Sequence, residues 1–153
     1  MKKIEIADVI KLRKETEIPI LECRQALEEA KGDFAQAKKI LKARSEEIAA
    51  KKAQRASNQG IIDAYIHNNG KIGVLLEVSS ETDFVAKNAQ FKTFVHDLAM
   101  QIAATNPKDI DELLASQFIK DLNLTVEEYL KHQIAKIGEN IKIKRFVRYE
   151  LGG

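Results

Sequence analysis

Over 153 residues the chain has one cysteine, two prolines and no tryptophan. The lone thiol, Cys23, excludes an intrachain disulfide and suits a reducing compartment. Seven glycines stand scattered at positions 32, 60, 70, 73, 138, 152 and 153, and none forms a phosphate-cradling or dinucleotide pattern. No apolar run approaches the ~18 residues of a transmembrane helix. Glu5 and Asp8 interrupt any secretory leader after Lys2-Lys3 and argue against a transit peptide, so a cytoplasmic protein is expected. His67, His96 and His132 have no metal-ligand spacing with Cys23 or with one another. Neither a metal nor another cofactor is expected. Glu128 and His132 share a helix face four residues apart, a spacing typical of surface contacts. Cys23 reads as a small buried packing residue rather than a nucleophile. No residue set points to an enzyme.

What remains is an ordinary globular mixture, 44% hydrophobic and 31% charged, with a formal charge of +2. That charge is too small to imply nucleic acid. It is uneven, with net +4 over residues 1–56, −2 over 57–104 and 0 over 105–153, which suggests two structural units. The first unit reads as three short helices. Ile6, Val9, Ile10 and Leu12 form the stripe of the first helix, and Pro19 ends it. Leu21, Ala26, Leu27 and Ala30 face inward from the second. Gly32 and Asp33 mark a helix end and the next N-cap, with Phe34, Ala37, Ile40 and Leu41 inside. Ala43–Ala56, alanine-rich and charged, is expected to be an exposed helical linker.

After Ser57-Asn58-Gln59-Gly60 the period changes from helical to two. Ile62, Ala64 and Ile66 alternate with polar residues, Asn68-Asn69-Gly70 gives a turn, and Ile72, Val74, Leu76 and Val78 alternate on its far side. This is a β-hairpin over about residues 60–78. Ser79 or Ser80 is expected to cap a helix whose stripe is Phe84, Asn88, Phe91, Val95, Leu98 and Ile102, ending at Asn106-Pro107. A short helix around 111–118 follows. A helix capped by Thr125 then runs to Ile137 and Gly138. Residues 141–150 form a last strand whose imperfect alternation calls for a bulge near Arg145. The fold class is α+β: an N-terminal helical module, a helical linker, and a three-stranded antiparallel sheet packed with helices. Ile61, Tyr65, Leu75 and Phe146 are left on the second face of that sheet, which suggests packing against another copy. Lys142, Lys144, Arg145 and Arg148 could grip phosphates, but without an aromatic platform they are better read as charges guarding a strand edge, with no direct nucleic-acid contact.

Three ordered motifs remain. They are Leu12-Arg13 and Thr16 with Cys23-Arg24-Gln25-Ala26-Leu27 and Ala30-x-Gly32-Asp33; Glu81-Thr82-Asp83-Phe84-Val85-Ala86-Lys87-Asn88; and Ile134-Ala135-Lys136-Ile137-Gly138-Glu139-Asn140-Ile141 with Arg145-Phe146. Together they resemble the bacterial elongation factor Ts family, the nucleotide-exchange factors of elongation factor Tu. The resemblance covers almost the whole chain. It implies a ubiquitin-associated-like module over 1–45, a linker over 46–57 and a core and dimerisation domain over 58–153. It also implies a cytoplasmic, non-enzymatic translation factor that dimerises through its sheet, as short members with one core subdomain do. Asp83 and Phe84 would meet the GTP-binding domain of the partner, with Phe84 inserted between two helices to disturb the magnesium side of the nucleotide site. Arg13, Ile20 and Leu21 would dock the N-terminal module. The stretch around Met100 and Gln101 would reach the phosphate-binding loop from the second protomer. The implied partner-binding set is thus Arg13, Ile20, Leu21, Thr82, Asp83, Phe84, Val85, Met100 and Gln101. Three departures stand out. Gln101 replaces a frequent histidine, Glu17 replaces a common glycine, and the segment between Pro107 and Glu127 is short. Two other readings are a dimeric helical adaptor and a weak nucleic-acid binder, and neither accounts for the motif around Phe84.

Overall fold

The computed structural model describes residues 3–153. Three helices, α1 (Ile6–Thr16), α2 (Ile20–Glu29) and α3 (Phe34–Lys52), precede the hairpin β1 (Gln59–Ile66) and β2 (Ile72–Ser80). Then come α4 (Asp83–Ala86), α5 (Ala89–Thr105), α6 (Ile110–Ala115), β3 (Gln117–Phe118), β4 (Asp121–Thr125), α7 (Val126–Ile137) and β5 (Lys142–Glu150). The main sheet is antiparallel in the order β1-β2-β5, and β3 pairs with β4 in a second, two-stranded sheet. No helix among the described residues is long and apolar enough to cross a membrane.

The N-terminal core consists of Val9, Leu12, Cys23, Ala26, Leu27, Ala30, Ala37 and Leu41. Burial pushes the Cys23 thiol pKa up, and its Sγ donates to the Ile18 carbonyl at 3.4 Å. The inner stripe of α1 is narrower than the sequence implies: Val9 and Leu12 are buried, while Ile6 and Ile10 are exposed. Glu17 ends α1 in the left-handed region at φ 57°. An L-residue there costs about 1 kcal/mol, which the family's glycine would avoid. Its carboxylate accepts from Lys136 Nζ at 2.8 Å.

The expected exposed linker is instead largely the second half of α3, one unbroken 19-residue helix packed on α7. Ser45 and Ala49 are buried, and Lys52 Nζ donates to the Gly138 carbonyl at 2.8 Å. Most of residues 43–56 are exposed, as expected, and the covered stripe consists of small side chains that allow close approach between helices. Lys42 pairs with Glu128 across the same contact. The hydrogen bond from Lys42 holds the Glu128 carboxyl below its ordinary pKa. His132, expected at the surface, is mostly covered, and burial lowers its pKa.

The hairpin forms as expected, with Gly70 at φ 72° in the turn and Lys71 N–H donating to Asn69 Oδ1. Gly60 is required at the open end: a Cβ there would lie 2.1 Å from the Val78 carbonyl oxygen. The phase of β1 is opposite to the sequence reading. Ile61 and Tyr65 face the core beside Val78 and Val74, whereas Ile62, Ala64 and Ile66 are on the outer face. A bulge opposite Glu77/Val78 does repair β5, with Arg145 paired to Glu77 and Ile143 to Val78. It turns Phe146 inward and Val147 and Tyr149 outward, so Phe146 also leaves the expected outer set.

Phe91, Phe94, Val95, Leu98 and Ile102 of α5 bury their side chains against Val74, Leu76 and Val78. The single helix expected over 82–104 is two. Ser79 and Ser80 belong to β2, Thr82 caps α4, and Asn88 Oδ1 accepts from Gln90 N–H at 2.7 Å to start α5. That break removes Phe84 from the inner stripe. Of the helix expected over 111–118, α6 ends at Ala115 and the strand β3 takes the place of its end, pairing with β4. Phe118 is buried and stacks on Tyr129 with ring centroids 4.1 Å apart. Thr125 and Glu128 form a full capping box at α7, which ends at Gly138 as its sequence indicates.

Candidate partner-binding site

The turn from β2 into α4 separates four consecutive side chains by direction. Thr82 faces inward: its Oγ1 accepts from Val85 N–H at 3.3 Å and donates to Glu139 Oε2 at 2.7 Å. Val85 is half-buried against the core. Asp83 and Phe84 project outward. Asp83 lies 3.4 Å from Lys87 Nζ, one helical turn on. Phe84 is 83% exposed, more than any other large hydrophobic side chain among the described residues. An aromatic ring held in solvent has a large apolar area available for burial.

A second outward group lies on the N-terminal module. Ile20 and Leu21 are 48% and 64% exposed at the first turn of α2, and Arg13 is exposed on α1. Ile6, Ile10 and Arg13 share one face of α1 by their spacing. Ile6 and Ile10 are therefore candidates that the sequence reading placed in the core. The signal was available: apolar residues at 6, 9, 10 and 12 span too wide an arc for one small module to cover.

The expectation for Gln101 needs correction. Its side chain is fully buried. Its Nε2 donates to Gln117 O at 2.8 Å and Ser116 Oγ at 3.2 Å, and its Oε1 accepts from Ile119 N–H at 2.9 Å. The amide is spent on holding β3, and no polar atom is left to offer a partner. Gln101→Leu is expected to destabilise the chain by about 2 kcal/mol, because three bonds to partly buried groups vanish together. The urea midpoint should fall with its slope unchanged; an unshifted midpoint would contradict this role. Met100, next to it, is half-exposed and lines an open groove of about 600 Å3 with Asp63, His96, Asp97 and Lys120. In that groove His96 Nδ1 lies 2.9 Å from Asp63 Oδ2. Lys120 Nζ donates to the buried Asp97 at 2.6 Å. Tyr129 also donates to Asp97, and burial together with that carboxylate raises the phenol pKa.

Phe84 belongs to α4, before the start of α5 at Ala89, whereas Met100 lies eleven residues further on, about 16 Å along the axis of α5. On the other side of the sheet Ile62, Ile66, Leu75, Val147 and Tyr149 form an exposed apolar face. Leu75 stands at its middle, paired with Ala64 on one side and Val147 on the other.

Comparison with known proteins bears on the same motifs. The family model described as Elongation factor TS matches residues 81–153, from the turn before Phe84 to the last strand. The Elongation factor Ts of Carboxydothermus hydrogenoformans is 40% identical over 189 residues, covering 94% of this chain and 87% of the relative. That of Acetivibrio thermocellus is 41% identical over 192 residues, covering 95% and 89%. Both alignments are longer than the 153 residues here, so these relatives carry residues that this chain lacks. The Elongation factor Ts of Nostoc sp. is 42% identical over 151 residues, which cover 99% of this chain and 48% of that longer relative. With relatives 40% and 41% identical to it, of which it spans 87% and 89%, the chain belongs to the elongation factor Ts family.

Proposed function

We propose that this chain is the guanine-nucleotide exchange factor of elongation factor Tu, a cytoplasmic protein that promotes GDP release without covalent chemistry. In this reading residues 1–45 are a ubiquitin-associated-like docking module, 46–57 a helical linker that begins as the end of α3, and 58–153 the exchange and dimerisation core. The exposure of Phe84, within the stretch that the family model matches, carries the proposal: a ring left in water at the start of that stretch can bury a large apolar area in a partner. Phe84 enters between two helices of the partner's GTP-binding domain and disturbs the magnesium side of its nucleotide site, with Asp83 as the polar contact beside it. Thr82 and Val85 set the direction of those two side chains from within. Arg13, Ile20 and Leu21 grip a separate surface.

The outer sheet face pairs two protomers, which covers its apolar residues. Such a pair brings Met100 of the partner subunit toward the phosphate-binding loop of the same elongation factor Tu, while Gln101 acts only by holding its own helix and strand together. Exchange then follows from linkage. A factor that binds the nucleotide-free partner more tightly than the GDP-bound partner must weaken GDP by the same factor. Calorimetry should therefore give tighter binding to nucleotide-free than to GDP-loaded elongation factor Tu, by at least about tenfold for a coupling of about 1.4 kcal/mol. Equal affinity for the two forms would remove the proposal and favour an adaptor.

A further inference from the structure

Phe84 has no packing of its own to fix its direction, and α4, which carries it, is a single turn of four residues. A helix that short is not stable alone. Val85 and Ala86 pack it on the core, and the turn that leads into it is held by one carboxylate 57 residues away in sequence. Glu139 Oε1 accepts from the N–H groups of Glu81 and Thr82 at 3.1 and 3.0 Å, and Oε2 accepts from Thr82 Oγ1 at 2.7 Å. The two residues that lead into α4 are thus tied by three donors to a single acceptor group.

The base of this tie is itself fastened. Gly138 closes α7 in the left-handed region, with its N–H on the Ile134 carbonyl. Asn140, buried, returns a bond from its N–H to Glu81 Oε1 at 2.7 Å. Its Nδ2 donates to Arg55 O at 2.7 Å, and Lys52 donates to Gly138 O. The loop of residues 138–140 therefore holds the turn before Phe84 and the end of α3 together.

We infer that Glu139 is a positioning residue for nucleotide exchange: it holds the β2–α4 turn in the conformation that presents Phe84, in fixed relation to the last helix of the docking module. The inference rests on the role of Phe84 proposed above. An anchor held in its bound conformation loses less freedom on docking, and charge-assisted bonds are the strong means of holding it.

Glu139→Gln keeps an oxygen for the two N–H groups but removes the charge, and its amide nitrogen can only donate to the Thr82 hydroxyl instead of accepting from it. Thr82→Val removes the hydroxyl's bond to Glu139 outright, together with the cap bond that the hydroxyl accepts from Val85 N–H. Each is expected to lower the maximal rate of GDP release about five- to tenfold, the size of one ordinary hydrogen bond, while the half-saturating concentration moves less than about twofold. In a Phe84→Ala background neither should slow release further. Release slowed equally in both backgrounds, with a lowered melting temperature, would mean a merely structural role and would overturn the inference. Wild-type rates for both Glu139→Gln and Thr82→Val would overturn it as well. Should Phe84→Ala itself release GDP at the wild-type rate, the underlying reading of Phe84 falls and this inference falls with it. Thr82→Val, nearly isosteric, tests the tie even if the charge change at Glu139 prevents folding.

Discussion

Phe84→Ala is expected to slow stimulated GDP release from elongation factor Tu by about ten- to a hundredfold. Burying a phenylalanine is worth about 1.5–3 kcal/mol, and central aromatic anchors reach 2 kcal/mol or more. Each 1.36 kcal/mol lost in the step they drive is a factor of ten in rate. With 83% of its residue surface still in water, nearly all of the ring's burial is available to the complex. The change should leave the fold intact, because Phe84 takes no part in the core. Docking should weaken less than release slows, since Arg13, Ile20 and Leu21 remain. Stopped-flow release at saturating factor measures the first effect, and the half-saturating concentration measures the second. An unchanged maximal rate with a raised half-saturation would make Phe84 a simple contact and remove its wedge role.

On the proposed pairing of sheets, Leu75→Glu should convert the dimer into a folded monomer. Leu75 is exposed at the middle strand of the sheet, on the face opposite the helices, so the carboxylate meets water in the single chain. In a twofold pair of sheets the same residue enters the interface twice. Each unpaired polar or charged group left there costs about 3 kcal/mol, and two copies raise the dissociation constant about 10^4-fold. Sedimentation at micromolar concentration should give half the wild-type mass, with an unchanged melting profile at low concentration. Exchange should then lose the contribution of Met100 from the second protomer. A Leu75→Glu chain that keeps the dimer mass would place the interface elsewhere.

Much of this fold is written in local signals. Asn69-Gly70 fixes the hairpin turn, Thr125 and Glu128 start α7, Gly138 ends it, and the broken alternation of residues 141–150 announces its bulge. The failures share one cause, which is that tertiary contacts chose between options left equal by the local sequence. In β1 both phases are apolar, Ile61 with Tyr65 or Ile62 with Ile66, and α5 decided which set went inward. Along α3, Ser45 and Ala49 look like surface positions until α7 lies against them. Thr82 and Asn88 each cap a helix, but the stripe of apolar residues runs through both and hides the break. Once it is seen, the outward direction of Phe84 follows from the chain itself. The resemblance supplied the candidate roles of Arg13, Ile20 and Leu21, whereas the burial of Gln101 was invisible to it: a glutamine in place of a histidine looked like a changed contact and is a structural amide. Glu139 was quoted in a motif without a role, because its three donors lie 57 and 58 residues away.

The most direct measurement of the central claim is release of a fluorescent GDP analogue from elongation factor Tu after mixing with excess unlabelled nucleotide, with and without this protein. Acceleration that saturates with factor concentration, and that Phe84→Ala largely removes, is the expected result. Release at the intrinsic rate whatever the amount of factor added would contradict nucleotide exchange as the function of this chain.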